Sequence, residues 1–248
     1  MKSVICMTML VLVCSEANAA EDGTGIYLKL STGVGLTADS DLRIVQPELE
    51  NDYVLRQVEW DDNSLSAPSA PYIGVRLGYF SKQRPWLGVA IEFLHFKVFA
   101  EDERATQIEG TRLGMPVDQK VTIHEVVQRY EIANGINLMP ISLIGRLQLR
   151  QDEEYPMGRV QPYGGLGLGP TINYTVSKVE GRSKQAGYEV ASLAVQVLAG
   201  CEFRASSRWD LFGEFKYTYA EADGSIALGK SATDLSTTHF AVGIGYHF

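Results

Sequence analysis

An all-β fold, an eight-stranded antiparallel up-and-down β-barrel that crosses a membrane, is predicted by three observations. In the stretch from Thr238 to Phe248, Phe240, Val242, Ile244, Tyr246 and Phe248 alternate with small or polar residues, so one face of that strand is apolar and the other is not. Eight segments share this period of two, each about the length of a tilted membrane-crossing strand, and short connections alternate with long ones. Past the first residues, no stretch is apolar for long enough to cross a bilayer as a helix, although 45% of the residues are hydrophobic. An apolar strand at an open edge invites aggregation. Pairing the last strand with the first closes the wall and removes the edge.

The elements follow in order. Lys2 precedes a run from Val4 to Cys14 that is apolar apart from Thr8, and Ala17-Asn18-Ala19 comes next. That is a charged n-region, an h-region and an A-x-A cleavage site, so residues 1–19 are expected to be a signal peptide and 20–248 the barrel domain. Val13, not a small residue, stands before Cys14, which argues against lipidation there. The strand segments are 25–36, 71–80, 86–98, 136–150, 161–176, 189–204, 209–221 and 237–248. Tight connections at 81–85 and 205–208, with a modest one at 151–160, are expected to face the periplasm. Long connections at 37–70 and 99–135, and shorter ones at 177–188 and 222–236, are expected to be external loops. Partial alternation over 119–132 leaves a ten-stranded barrel open as an alternative.

The sixth segment shows the two faces best. Ala191, Leu193, Val195, Val197, Ala199, Cys201 and Phe203 fall on one side and Ser192, Gln196, Glu202 and Arg204 on the other. The first set is expected to touch lipid. The same parity puts Lys29, Arg76, Glu92, Arg146, Gln148, Glu202, Arg204, Glu214 and Lys216 in the lumen, where acids and bases must pair to offset desolvation. Eight strands enclose just enough room for such side chains, so a plugged lumen is expected and not a general diffusion pore. Trp86 and Trp209 after short turns, with Tyr217 and Tyr219 toward the far end of their strand, fit two interfacial girdles.

Cys6 and Cys14 lie in the expected signal peptide, which leaves Cys201 without an intramolecular disulfide partner. A net charge of −8 argues against nucleic acid as a partner. The first long loop carries Asp39, Asp41, Glu48, Glu50, Asp52, Glu59, Asp61 and Asp62 against Arg43 and Arg56, without the spacing of a calcium loop. It reads as a solvated face.

Gln161-Pro162-Tyr163-Gly164-Gly165-Leu166-Gly167-Leu168-Gly169, Leu211-Phe212-Gly213-Glu214-Phe215-Lys216-Tyr217-Thr218-Tyr219 and the Gly-Tyr-His-Phe ending resemble the outer-membrane β-barrel domain family of small, eight-stranded, porin-like barrels. The resemblance spans essentially the whole mature chain and implies the outer membrane of a Gram-negative-type bacterium. It also implies outer-membrane lipids and lipopolysaccharide as neighbours, and an assembly signal at Phe248 read by the barrel-assembly machinery. Val58-Glu59-Trp60-Asp61-Asp62-Asn63-Ser64, Pro71 to Tyr79, Glu92 to Val98 and Asn134-Gly135-Ile136-Asn137 are similar to segments of lipid A oxidases. That narrower similarity implies oxidation of lipid A glucosamine to an aminogluconate with a divalent metal. The element 134–137 carries no histidine where the similarity implies one.

For such chemistry, polar groups must converge at the outer rim. Glu92, His95 and His239 are the candidate metal ligands, with Asn137 nearby, because carboxylate and imidazole suit manganese, iron or zinc. A lipid A deacylase would need a serine beside a general base on neighbouring strands, and no His-x-Ser alternation occurs. His124-Glu125 lacks the second histidine of a zinc-hydrolase motif. The leading expectation is a non-catalytic barrel that acts in envelope integrity or surface interaction through its external loops, without a cofactor. The metal-dependent lipid A oxidase is the alternative.

Overall fold

The computed structural model describes residues 24–61 and 71–248. The expected signal peptide and residues 62–70 lie outside these. The strands are β1 (Gly25–Thr37), β2 (Ser40–Gln46), β3 (Asn51–Val58), β4 (Trp60–Asp61), β5 (Ile73–Phe80), β6 (Leu87–Ala100), β7 (Ala105–Arg112) and β8 (Met115–Thr122). After the single turn α1 (Ile123–Val126) come β9 (Val127–Leu138), β10 (Ile141–Arg146), β11 (Val160–Val179), β12 (Gln185–Arg204), β13 (Trp209–Ile226) and β14 (Gly229–His247).

Eight wall positions close a ring in the order β1, β5, β6, β9 with β10, β11, β12, β13, β14 and back to β1. All of these pairings are antiparallel. The closing seam is long: Tyr27 opposes His247, Leu30 opposes Ile244 and Leu36 opposes Thr238. The fourth position is broken at Met139 and Pro140, because proline has no N–H to give the ladder. Its carbonyl instead accepts from Glu92 N at 3.0 Å.

The ring has eight members, and the ten-stranded alternative does not occur. The β7–β8 hairpin pairs onto β3, outside the ring. The long connections differ most from expectation. Residues 37–70 contribute β2, β3 and β4, and 99–135 contribute β7, β8, α1 and much of β9. The upper end of β14 passes from β1 to β2, and β2 pairs β3, so a branch of the same sheet rises from the barrel wall. The connections 177–188 and 222–236 shrink to turns, since β11 to β14 run 18 to 20 residues and extend above the lipid-facing belt. The wall therefore continues upward into a folded head. We call this end the head end and the opposite one the short-turn end.

Strand β13 shows what changes with height. Its outward residues run Leu211, Phe215, Tyr217, Tyr219 and then Glu221 and Asp223, while its inward residues run Asp210, Glu214, Lys216, Thr218 and then Ala220, Ala222 and Ile226. Strand β6 does the same, with Val89, Ile91 and Phe93 outward below His95 and Lys97, and Glu92 inward below Leu94, Phe96 and Val98. The lower wall is apolar outside and charged inside, as lipid requires. The upper wall is polar outside and apolar inside, as water requires. Over this upper interior, Leu42, Ile44, Tyr53, Leu55 and Ile108 of the head sheet pack with Leu94, Phe96, Ile132, Ile136 and Leu235 into one buried apolar core.

In β12, Leu193, Val195, Val197, Ala199, Cys201 and Phe203 face outward and Gln196, Glu202 and Arg204 are buried inward. The side chains of Ala191 and Ser192 fall outside the description. Two glycines set the lower packing. A Cβ on Gly78 would collide with the Tyr27 ring, and one on Gly200 would lie 2.6 Å from the Tyr163 ring, so each tyrosine ring lies over the glycine opposite it on the neighbouring strand.

Candidate functional site

Period-two alternation brings the lumen charges together at one height. Arg76 of β5 reaches across the bore and donates from Nη1 to Glu214 Oε2 at 2.6 Å and from Nη2 to Glu214 Oε1 at 2.7 Å. The same Nη2 lies 3.1 Å from Oε1 of Glu92, its cross-strand neighbour. Lys216 Nζ completes the square, 2.6 Å from Glu92 Oε1 and 3.0 Å from Glu214 Oε1, and Tyr163 OH donates to Glu214 Oε2 at 2.8 Å. Two cations and two anions balance, and all four are buried. Below them Lys29 Nζ holds Glu202 Oε2 at 2.6 Å and lies over the rings of Tyr163 and Phe212. Arg146 donates to Gln161 Oε1 and the Pro85 carbonyl, stacks 3.7 Å from the Phe80 centroid and stands 3.9 Å from Glu202. Arg204 is also buried, beside its cross-strand neighbour Asp210. Gln148 lies beyond the end of β10, with Nε2 on Met157 Sδ. Buried ion pairs cross the bore at this level.

The three candidate metal ligands do not form one site. Glu92 is committed to Arg76 and Lys216. His239 is fully buried in the lumen, with Nε2 2.8 Å from Thr218 Oγ1 and its ring edge-on to Phe96. His95 stands three residues from Glu92 on one strand, which puts it on the opposite face. There it stacks on Phe93 and pairs through Nδ1 with Asn137 Oδ1 at 2.9 Å. This corrects the expected Glu92, His95 and His239 set. Among the described residues, the ligand types that do converge are Glu202, Asp210 and His247, at the short-turn end. Parity along β13 and β14 assigns Asp210 and His247 to the lumen, but parity gives the face and not the height. Phe248 turns outward at the same end, its ring 5.0 Å from that of Tyr246 and its N–H on the Ile26 carbonyl at 3.0 Å.

The head carries its own ionic braces. Arg43 binds Asp52 through two hydrogen bonds, Arg56 spans Asp41 and Glu109, and Arg104 pairs with Glu59, so several loop acids are matched within the sheet. Burial works against ionisation of Asp41, but the backbone N–H of Gln57 and the Arg56 guanidinium outweigh it and hold the carboxyl below its usual range. At the far side Arg112 clasps Glu180 in the β11–β12 turn, and Tyr53 OH reaches the same carboxylate. Burial first, and then Glu180, pushes the Tyr53 hydroxyl pKa up. Where β2, β13 and β14 meet Glu189 of β12, a cleft of about 240 Å³ is lined by Arg43, Lys230, Glu189, Asp223 and Ser225.

A family model described as the outer membrane protein beta-barrel domain matches residues 5–248. No curated protein matches the chain in sequence. Similar solved structures include neisserial surface protein A (12% identity, 91% of this chain and 98% of that one, TM-score 0.46). OprG of Pseudomonas aeruginosa is similar at 14% identity, with 92% and 98% covered and a TM-score of 0.44. Ail, the attachment invasion locus protein of Yersinia pestis, is similar at 13% identity, with 91% and 99% covered and a TM-score of 0.37.

Proposed function

The chain belongs to the outer membrane protein beta-barrel domain family, and from that premise we propose that it is a plugged membrane anchor for a rigid head that acts at the cell surface. One observation carries this reading: the long connections fold into a sheet over a continuous apolar core and present a preformed surface. A preformed surface loses little conformational entropy on binding. The cleft with Arg43 and Lys230 beside Glu189 and Asp223 suits a polar ligand that carries charge, and the sugar and phosphate groups of neighbouring lipopolysaccharide have that chemistry. The balanced ion pairs across the bore favour anchoring over transport. The partners we assign are therefore outer-membrane lipids and lipopolysaccharide at the surface, and the barrel-assembly machinery during insertion, with Phe248 as part of its recognition element.

A head-trimmed chain tests the proposal. In a strain lacking the gene, the full chain and a chain with residues 40–58 and 105–122 each replaced by a short turn are compared for detergent sensitivity and surface adhesion. The trimmed barrel is expected to insert, run as a heat-modifiable band and fail to restore either property. Full restoration by the trimmed barrel rules the head out as the working part.

A further inference from the structure

Glu202 of β12, Asp210 of β13 and His247 of β14 converge at the short-turn end from three consecutive wall strands. Each offers a ligand atom, these atoms lie within 4.8 Å of one another, and no side chain is more than 2% exposed. Part of their capacity is used. His247 Nε2 is 2.8 Å from Asp210 Oδ2, and Lys29 takes Glu202 Oε2. The remaining oxygens, Glu202 Oε1 and Asp210 Oδ1, accept no hydrogen bond from any described residue, and His247 Nδ1 has no partner either. Buried acceptors left this way are uncommon, because the lost hydration is not replaced, and two such carboxylate oxygens beside one imidazole make a donor set open to a metal ion.

We propose that Glu202, Asp210 and His247 bind one divalent transition-metal ion, with zinc the best fitted, which staples the last three wall strands together. One imidazole nitrogen with two carboxylate oxygens is a donor set zinc accepts. Calcium and magnesium seek more oxygens than the cluster holds. Three cations face the site: Lys29, Arg146 at 3.9 Å from Glu202 Oε1, and Arg204 beside Asp210. Their repulsion selects against ions held by charge alone and favours one that bonds to nitrogen. The three ligands come together only when β12, β13 and β14 are paired, so the ion binds the closed wall and stabilises it.

The test uses the full mature chain without an affinity tag, refolded in detergent micelles and stripped with EDTA. Bound zinc is counted after equilibrium dialysis, and unfolding is followed by circular dichroism with zinc or with EDTA. His124, exposed and paired with Asp102 on the head, is replaced in a control because it is a second place where zinc can lodge. One zinc per chain and a raised Tm are expected for the wild type and for His124→Asn. His247→Gln and Asp210→Asn should weaken zinc binding by about tenfold or more while keeping the folded, heat-modifiable band. Arg204→Gln should tighten it, since a repelling charge is gone and all three ligands remain. Absence of stoichiometric zinc, affinity unchanged by His247→Gln, or weakening by Arg204→Gln overturns the proposal. If the ligand variants do not fold, the Arg204→Gln comparison decides.

Discussion

Arg76 and Glu214 meet across the bore although β1 and β14 separate their strands in the wall; Nη1 stands 2.6 Å from Oε2 and Nη2 2.7 Å from Oε1. The pair is a cross-brace that joins strands three positions apart around the cylinder at the level of the lipid-facing belt.

Breaking this brace on one side leaves a buried charge uncompensated. Glu214→Ala is expected to cost about 3–5 kcal/mol, as measured by urea unfolding in lipid vesicles. Replacing both Arg76 and Glu214 with methionine should cost less than the sum of the single changes, because Glu92 and Lys216 then remain as a balanced pair. Additive losses would show that the two residues act independently.

The two faces of β12 should respond oppositely to charge and to grease. Val195 is outward and 47% exposed, so Val195→Arg should cost about 2–4 kcal/mol if the position lies near the bilayer midplane. Gln196 is buried, and neither of its amide atoms has a partner among the described residues, so Gln196→Met should stay within about 1 kcal/mol of the parent or gain stability. Equal penalties at the two positions contradict the assignment of faces.

Orientation can be read by labelling. With Cys201 changed to serine, a single cysteine at Lys120 in the head or at Lys82 in a short turn is offered a membrane-impermeant maleimide on intact cells; both positions are exposed. The Lys120 position should label and the Lys82 position only after the outer membrane is opened. The reverse result inverts the topology.

Acid should loosen the head before the barrel. The Asp41 carboxyl is held below its ordinary pKa of 3.8, so the stability it gives is complete above that value and is lost as pH falls through its lower folded value. Hydrogen exchange in β2 and β3, corrected for intrinsic rates, should accelerate below about pH 4 relative to β13. Asp41→Asn should remove most of that difference. A head that exchanges equally slowly above and below about pH 4 shows that the Asp41 brace does not hold β2 to β3.

The barrel wall was legible because lipid on one side and a crowded bore on the other impose strict alternation, and Glu92, Glu202, Glu214 and Lys216 keep that phase through the belt. The head was not legible as structure. β2 with β3 and β7 with β8 are local hairpins, but the pairings that join them into one sheet, β2 with β14 and β3 with β7, are remote in sequence, so no local pattern announces the sheet. The acids of the first long loop are solvated, as their composition suggests, and what the sequence does not display is that Arg43, Arg56 and Arg104 stand beside Asp52, Asp41 and Glu59. His95 failed as a ligand for a local reason, its odd spacing from Glu92. The Asp210–His247 contact depends on the register between β13 and β14, which the sequence does not display.

The exchange of polarity partway up β13 and β6 has a consequence for reading hydropathy along a strand. From Thr218 and Tyr219 to Ala220 and Glu221, the greasy parity jumps from odd to even positions while the backbone runs on without a bulge. A periodicity scan registers this as a one-residue slip, and a boundary drawn there cuts the strand in two. The shift marks a change of solvent, so in this chain the waterline is written as a phase error in the alternation.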